Sequence, residues 1–282
     1  MKLRNRLNQQ CFIEEIGKYE MNDKVIDLSE IKFADIFGII SLIMILKREY
    51  EKNNTINLYL PHNLNVANYL HICGFVNCAK KYANIKYNAF NLISKIYSPL
   101  EILDTKDYIP IQIIRNKNEA TKIVMNVIKW LQNKKIDDFN ICTLLLELMD
   151  NSLNHANSND GTIFIMQKYQ DTLMISIADF GVGIKECIET NTYYKDMFEN
   201  NESLIKYIFE SNNYISSENS KERGNGFYGL SKYINESRNC FSICSRDGFY
   251  YHGYNETGKS HKYSTTMSDL NGTHINISIK LK

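Results

Sequence analysis

The sequence predicts an α/β protein made of two blocks, and three observations support this prediction. In the first block, strand-like and helix-like patterns alternate within residues 24–74. In the second block, two amphipathic helical patterns, at about 117–133 and 137–156, precede a pair of strand-like segments. Alternating strand patterns then return near 240–253 and 273–280. Strands and helices interleaved in this way are typical of layered α/β domains.

The first block carries the signals of a small α/β layer. Lys24–Leu28 is a short, mostly apolar segment that predicts a buried strand. Asp35 stands at the N-cap position before the apolar run Ile36–Leu46, where its carboxylate can accept a hydrogen bond from a free amide of the first helical turn. Thr55–Leu60 alternates apolar and polar residues and predicts a second strand. A short helix is expected over about 63–72, before a glycine.

The second block begins with the strand pattern Tyr108–Ile114, which leads into the two helices. Strand patterns at Thr162–Gln170 and Thr172–Ala178 are joined by about two residues, and this spacing predicts a β-hairpin. A further helix is expected over about 202–210. The polar segment that follows, Ser211–Arg223, is the natural candidate for a mobile lid.

Length and composition limit the classes of function. The 282 residues suffice for two small domains, which we place at 1–98 and 99–282. The chain has 33 lysines and arginines against 32 aspartates and glutamates, so it lacks the basic excess of a nucleic-acid or membrane-surface protein. Its longest apolar run, Ile36–Leu46, is shorter than the roughly 20 residues of a transmembrane helix. Seven cysteines without a C-x-x-C pair do not indicate a disulfide framework. We therefore expect a cytoplasmic protein that binds neither nucleic acid nor membranes.

The first candidate motif is a carboxylate and an amide on one face of a helix. Glu147 and Asn151 lie four residues apart and are therefore stacked neighbours on the second helix of this block. The core-facing sector of the same helix holds Ile141, Leu145, Leu148 and Ser152. A carboxylate such as Glu147 can act as a general base, and an amide oxygen such as that of Asn151 can bind magnesium. The alternative interpretation is a solvated polar stripe.

The second candidate motif is an aspartate at a strand end, followed by a glycine turn. Asp179 closes the strand pattern, and Gly181 and Gly183 follow it. Glycines allow the backbone to approach a flat ligand closely, and the carboxylate could accept a hydrogen bond from an exocyclic amine such as N6 of adenine. An ordinary aspartate–glycine turn is the alternative.

The third candidate motif is the glycine-rich string Gly224-x-Gly226-x-x-Gly229, which opens a helix from about 227. Its spacing also matches the dinucleotide-binding fingerprint, but that fingerprint must follow a strand. The preceding residues are polar and loop-like, so the dinucleotide interpretation fails. Backbone amides at a helix start still suit a phosphate group, and Lys221 and Arg223 could add positive charge.

The three motifs in this order, with Gly272-Thr273 leading the last strand, resemble the nucleotide site of the GHKL (Bergerat-fold) ATPases. The resemblance covers roughly residues 105–282. It implies a two-layer α/β sandwich in which a mixed sheet faces helices, with ATP and Mg²⁺ as ligands. It further implies Glu147 as general base and Asn151 as magnesium ligand. The remaining implied ligand contacts are His155 near the phosphates, Asp179 on adenine, Gly181 and Gly183 along the adenine pocket, Gly224, Gly226 and Gly229 at the lid hinge, and Thr273 at the adenine end.

The first block resembles a STAS domain, the module of anti-anti-sigma factors. The matching strings are Val25-Ile-Asp27-Leu-Ser, Phe33-Ala-Asp35-Ile-Phe-Gly38-Ile, Leu60-Pro61, Asn68-Tyr-Leu and Gly74-Phe75. In that family the residue after the aspartate is a phosphorylatable serine or threonine, whereas here it is Ile36. We therefore expect a docking or regulatory unit that is not phosphorylated at this position.

Three functions remain compatible with the two resemblances. The first is a serine/threonine protein kinase of the anti-sigma type, in which Glu147 deprotonates a hydroxyl of a partner protein. That regulatory partner would be a separate STAS-type protein or one resembling a sigma factor, and a homodimer is compatible with this arrangement. The second is a slow ATPase that acts as a nucleotide-dependent switch. The third is an ATP-sensing module that does not hydrolyse its ligand. No histidine stands in the phosphoacceptor setting of sensor histidine kinases.

Overall fold

The computed structural model describes most of the chain as two compact units within an α/β protein that contains two sheets. One unit comprises Met1–Ile111 with Ile165–Gln167, and the other comprises Gln112–Phe164 with Lys168–Lys282. The described residues are 1–16, 24–87, 107–136, 139–155, 160–210, 225–255 and 257–281. None of the described helices combines the length and the apolar character that crossing a membrane requires.

The first sheet has four strands in the order β1-β2-β3-β4, and each neighbouring pair is parallel. Its strands are β1 (Lys2–Leu7), β2 (Val25–Ala34), β3 (Ile56–Tyr59) and β4 (Ala83–Lys86). The helical segments between them are α1 (Gln9–Cys11), a π-helical turn (Phe12–Ile16), α2 (Ile36–Glu51), α3 (Leu64–Ile72) and α4 (Phe75–Ala79). Parallel strands need crossover connections, and these helical segments supply them.

Helix α2 is the buried centre of the first unit, since every residue from Ile36 to Glu49 is buried. Asp35 caps it as expected, because its Oδ1 accepts a hydrogen bond of 2.9 Å from the Gly38 amide. Burial raises the pKa of Asp35 to about 6. Gly38 meets strand β1 closely, since a Cβ atom there would lie 2.4 Å from the Leu7 carbonyl oxygen.

The first sheet is larger than the sequence predicts. Strand β2 continues to Ala34 because β1 pairs with it along most of this extension. Strand β1 is absent from the prediction, although its Leu3 and Leu7 are fully buried among charged and polar residues. A strand with only two inward residues gives a weak periodic signal, and its pairing with β2 is a long-range contact.

The second sheet has five strands in the order β5-β6-β7-β9-β8. Its strands are β5 (Tyr108–Ile114), β6 (Thr162–Tyr169), β7 (Thr172–Ala178), β8 (Cys240–Tyr254) and β9 (Ser260–Lys280). The helices are α5 (Lys117–Asn133), α6 (Phe139–His155), α7 (Ile184–Ile188), α8 (Asn201–Glu210) and α9 (Asn225–Ser237). Strand β9 pairs antiparallel with both β7 and β8. Helix α6 contacts α5, α9 and β7.

Most predicted elements of the second block are confirmed, with two differences. The expected hairpin is formed by β6 and β7, which two residues join. Strand β9 begins at Ser260 rather than near 273, because its polar first half pairs with β8 and carries aromatic contacts such as Phe249–Tyr263 and Tyr251–Tyr263. The short helix α7 is not predicted from the sequence.

Candidate functional site

Helix α6 places the first motif as its periodicity predicts. The sector expected to face the core is buried throughout, at Ile141, Leu145, Leu148 and Ser152. Glu147 and Asn151 are both half-buried on another face of the helix. These two side chains are therefore held by a packed helix and remain partly accessible to a ligand.

The first and third motifs meet where α6 packs against α9. A Cβ atom at Gly229 would lie 3.0 Å from Oε2 of Glu147, so the glycine leaves room for the carboxylate. Burial raises the pKa of the Glu147 carboxyl above its ordinary value. A raised pKa brings a carboxylate closer to the range in which a general base is effective.

The second motif is held at the end of β7 by the backbone of β9. The Asp179 amide donates a hydrogen bond of 2.9 Å to the Thr273 carbonyl oxygen. The Asp179 Oδ1 atom accepts hydrogen bonds from the amides of Gly181, at 2.9 Å, and Thr273, at 3.2 Å. The aspartate, the glycine turn and the last strand thus form one hydrogen-bonded unit.

The two oxygens of the Asp179 carboxylate differ in how many further hydrogen bonds they can accept. Oδ1 already receives two backbone amides, whereas the described residues give Oδ2 only a long hydrogen bond of 3.4 Å from the Ser152 hydroxyl. A carboxylate oxygen has two lone pairs. Oδ2 therefore keeps acceptor capacity for a donor group of a ligand. Burial raises the pKa of Asp179 to about 6, although these three hydrogen bonds oppose the rise.

The raised pKa of Asp179 predicts a pH-dependent effect of the substitution Asp179→Asn. The carboxyl ionises at lower pH in the unfolded chain than in the folded protein. The folded wild type therefore loses stability as pH rises from about 4 to about 6 and keeps that loss at higher pH. Asparagine does not ionise, so the stability of the variant relative to the wild type should rise by about 2–3 kcal/mol between pH 4 and pH 7. Denaturant unfolding of both proteins from pH 4 to 8 measures this difference. Parallel plots of unfolding free energy against pH would contradict the raised pKa of Asp179.

Gly272 makes the closest approach in the site. Its φ is 91°, and a Cβ atom there would lie 2.0 Å from the Asp179 carbonyl oxygen. It lies where β9 bulges, since Ser245 pairs with Thr273 and the next residue of β8 pairs with Leu270. The bulge brings the backbone of β9 against Asp179, and only glycine fits there.

The substitution Gly272→Ala should therefore lower the free energy of unfolding by about 2–5 kcal/mol, because it adds a left-handed backbone penalty to a steric clash. Gly258→Ala is the matched control. Gly258 also has a positive φ, of 76°, but its added Cβ would meet only the end of the flexible Arg238 side chain. Denaturant unfolding should show a loss of about 1–2 kcal/mol for this control. Equal losses for the two variants would mean that the contact with Asp179 is not tight.

The other predicted site residues divide into two groups. Gly181 and Gly183 lie in the turn after β7; Gly183 has a φ of 86°, and a Cβ there would lie 2.4 Å from Cγ of Arg246. The backbone of Gly226 lies in the first turn of α9. His155 is the last residue of α6, but its side chain is outside the described residues. The remaining predicted site residues, Lys221, Arg223 and Gly224, also lie outside the described residues, as does the predicted lid segment 211–223.

Two serines that contact the site are not predicted from the sequence. Ser152 was expected on the core face of α6, and its buried hydroxyl also reaches Asp179. Ser245 lies on β8, where its hydroxyl contacts the Thr273 hydroxyl at 3.3 Å. A polar residue within an otherwise apolar face is the only local signal for Ser152, and the contact of Ser245 depends on strand register.

Among the described residues, no group of three or more histidine, cysteine, aspartate or glutamate side chains is arranged to hold a metal ion. A magnesium ion bound by Asn151 would take further ligands from nucleotide phosphates and water, as magnesium commonly does. The half-buried amide of Asn151, one helical turn from Glu147, fits such a role.

No protein-family model matches this chain, and no curated protein sequence matches it significantly.

Proposed function

We propose that this chain is a Mg-ATP-binding regulatory protein of the GHKL type that transfers the γ-phosphoryl group to a serine or threonine of a partner protein. The observation that carries the proposal is the convergence of the motifs on α6. Glu147 adjoins Gly229 of the third motif, and Ser152 reaches Asp179 of the second. Glu147 and Ser152 are five positions apart along α6, or about 7.5 Å. A ligand with a base at one end and phosphates at the other suits such a site.

The adenine end of the proposed site is formed by Asp179 and Thr273. The Oδ2 atom of Asp179 has acceptor capacity for the exocyclic amine of adenine, while its Oδ1 is fixed by the amides of Gly181 and Thr273. Guanine carries a carbonyl oxygen at the corresponding position, so the carboxylate would repel it. Adenine specificity is therefore part of the proposal.

The phosphate end is formed by Glu147, Asn151 and the start of α9. The Asn151 amide oxygen would hold magnesium, and backbone amides at the start of a helix suit phosphate oxygens. Glu147 would take the proton from the attacking hydroxyl. The hydroxyl oxygen bonds to the γ-phosphorus, and the bond to the oxygen bridging the β-phosphate breaks, which releases ADP.

The first unit is proposed as a STAS-like docking or regulatory unit. Its Ile36, which follows Asp35, is fully buried and carries no hydroxyl, so this position cannot accept a phosphoryl group, in keeping with a phosphoacceptor on another protein. We propose a separate STAS-type or sigma-factor-like protein as that partner.

Incubation with γ-labelled ATP and magnesium tests the reaction. The purified chain is assayed alone and with a lysate of its own cell, and label is followed as free phosphate and on protein bands. Label on a serine or threonine of a partner, lost with Glu147→Ala, supports the kinase. Free phosphate alone, lost in the same variant, identifies an ATPase switch, because Glu147 can activate water equally well.

Asp150→Asn is the matched control, since Asp150 lies on the same helix and forms an exposed ion pair with Lys117. Bound but unreacted ATP would make the chain a nucleotide sensor.

A further inference from the structure

Ser245 is a buried hydroxyl in the second unit that lies outside the three motifs. It is fully buried on β8, directly across from Thr273 of β9. It is also the last residue of β8 before the pairing with β9 becomes irregular. Its neighbours are therefore set by the strand bulge that brings β9 against Asp179.

The Ser245 hydroxyl joins two parts of the site that are far apart in the sequence. Its Oγ accepts a hydrogen bond of 2.9 Å from the amide of Ile184, directly after the glycine turn. The same oxygen lies 3.3 Å from Oγ1 of Thr273. Gly183 permits this approach, because a Cβ there would lie 3.0 Å from the Ser245 oxygen.

The contact with Ile184 has a fixed direction and leaves the Ser245 hydrogen available for donation to Thr273. A hydroxyl has one hydrogen to donate and two lone pairs. Ser245 accepts from the Ile184 amide, so its own hydrogen is available for Thr273. When Ser245 donates to Thr273, the Thr273 hydrogen is left to point toward a ligand beside Asp179.

We propose that Ser245 is a positioning residue of the nucleotide site, which fixes the glycine turn through Ile184 and orients the Thr273 hydroxyl for the adenine end. This inference rests on the proposed function, because it assigns Ser245 a role in adenine-nucleotide affinity. Ser245 itself touches no part of the reaction.

The test measures the Kd of Mg-ATP for the full chain by isothermal titration. Ser245→Ala should weaken binding about tenfold, because it leaves a buried amide without its acceptor and the Thr273 hydroxyl without its partner. Ser176→Ala is the matched control: Ser176 is equally buried in β7, and its hydroxyl bonds to Asn276 at 2.7 Å. The control should change the Kd less than twofold. An unchanged Kd for Ser245→Ala, or equal losses for both variants, would overturn the inference.

Combining Ser245→Ala with Thr273→Val separates positioning from a general loss of stability. If Ser245 acts partly through Thr273, the double variant should lose clearly less affinity than the product of the two single losses. Fully multiplicative losses would overturn the role of Ser245 in orienting Thr273.

In the wild type without nucleotide, the Ile184 amide should exchange its hydrogen slowly, and rapid exchange would overturn the inference without any variant. A wild type that does not bind Mg-ATP would reject the proposed function and this inference together.

Discussion

Asp179→Asn should weaken Mg-ATP binding by about a hundredfold or more and leave the fold intact. An asparagine oxygen can still accept the amides of Gly181 and Thr273, which bond to Oδ1 in the wild type. The substitution then places an NH₂ group where Oδ2 would accept the adenine amine. Two donors would face each other, and a charge-assisted hydrogen bond would be lost.

Isothermal titration with Mg-ATP measures this effect, and circular dichroism and denaturant unfolding verify the fold. Asp171→Asn is the matched control, because Asp171 is an exposed residue in the turn between β6 and β7. The control should bind like the wild type. Full retention of affinity by Asp179→Asn would remove the adenine assignment, whatever its effect on stability.

Glu147→Gln should retain Mg-ATP binding and lose about 10²- to 10⁴-fold in turnover. Glutamine has nearly the shape of glutamate, so the contact with Gly229 and the packing of α6 should persist. It cannot accept the proton of the attacking hydroxyl, and general-base catalysis supplies a rate factor of this size. A loss confined to turnover is the signature of a group that acts only in the transition state.

Turnover is measured with γ-labelled ATP at saturating concentration, and Kd is measured separately by titration. Asp150→Asn on the same helix should leave both quantities unchanged, because exposed ion pairs contribute little. Unchanged turnover in Glu147→Gln would exclude Glu147 as the base. A large rise in Kd would instead assign Glu147 to binding.

Local patterns predicted most of the second unit. The 3.6-residue periodicity of α6 correctly separated the buried Leu145 and Leu148 from the half-buried Glu147 and Asn151. The helix cap at Asp35 was also correct, because an N-cap depends on residues within one turn. Features that depend only on residues within one helical turn or one hairpin can be predicted from a single sequence.

Features that depend on long-range register were not predicted. Strand β1 and the polar first half of β9 have weak periodicity and are defined by their partner strands. The same limit applies to the site. Asp179 and Thr273 were expected at the adenine end from the resemblance, but the contact of Ser152 follows from the packing of α6 on the sheet and that of Ser245 from the register of β8 and β9.

Thermal unfolding of the wild-type chain with and without Mg-ATP tests the nucleotide site most directly. At a hundredfold excess of Mg-ATP over its Kd, binding to the folded state should add about 2.7 kcal/mol to the free energy of unfolding. The melting temperature should rise with Mg-ATP and not with Mg-GTP, and Asp179→Asn should remove most of the rise. A melting curve indifferent to millimolar Mg-ATP would contradict the proposed nucleotide site.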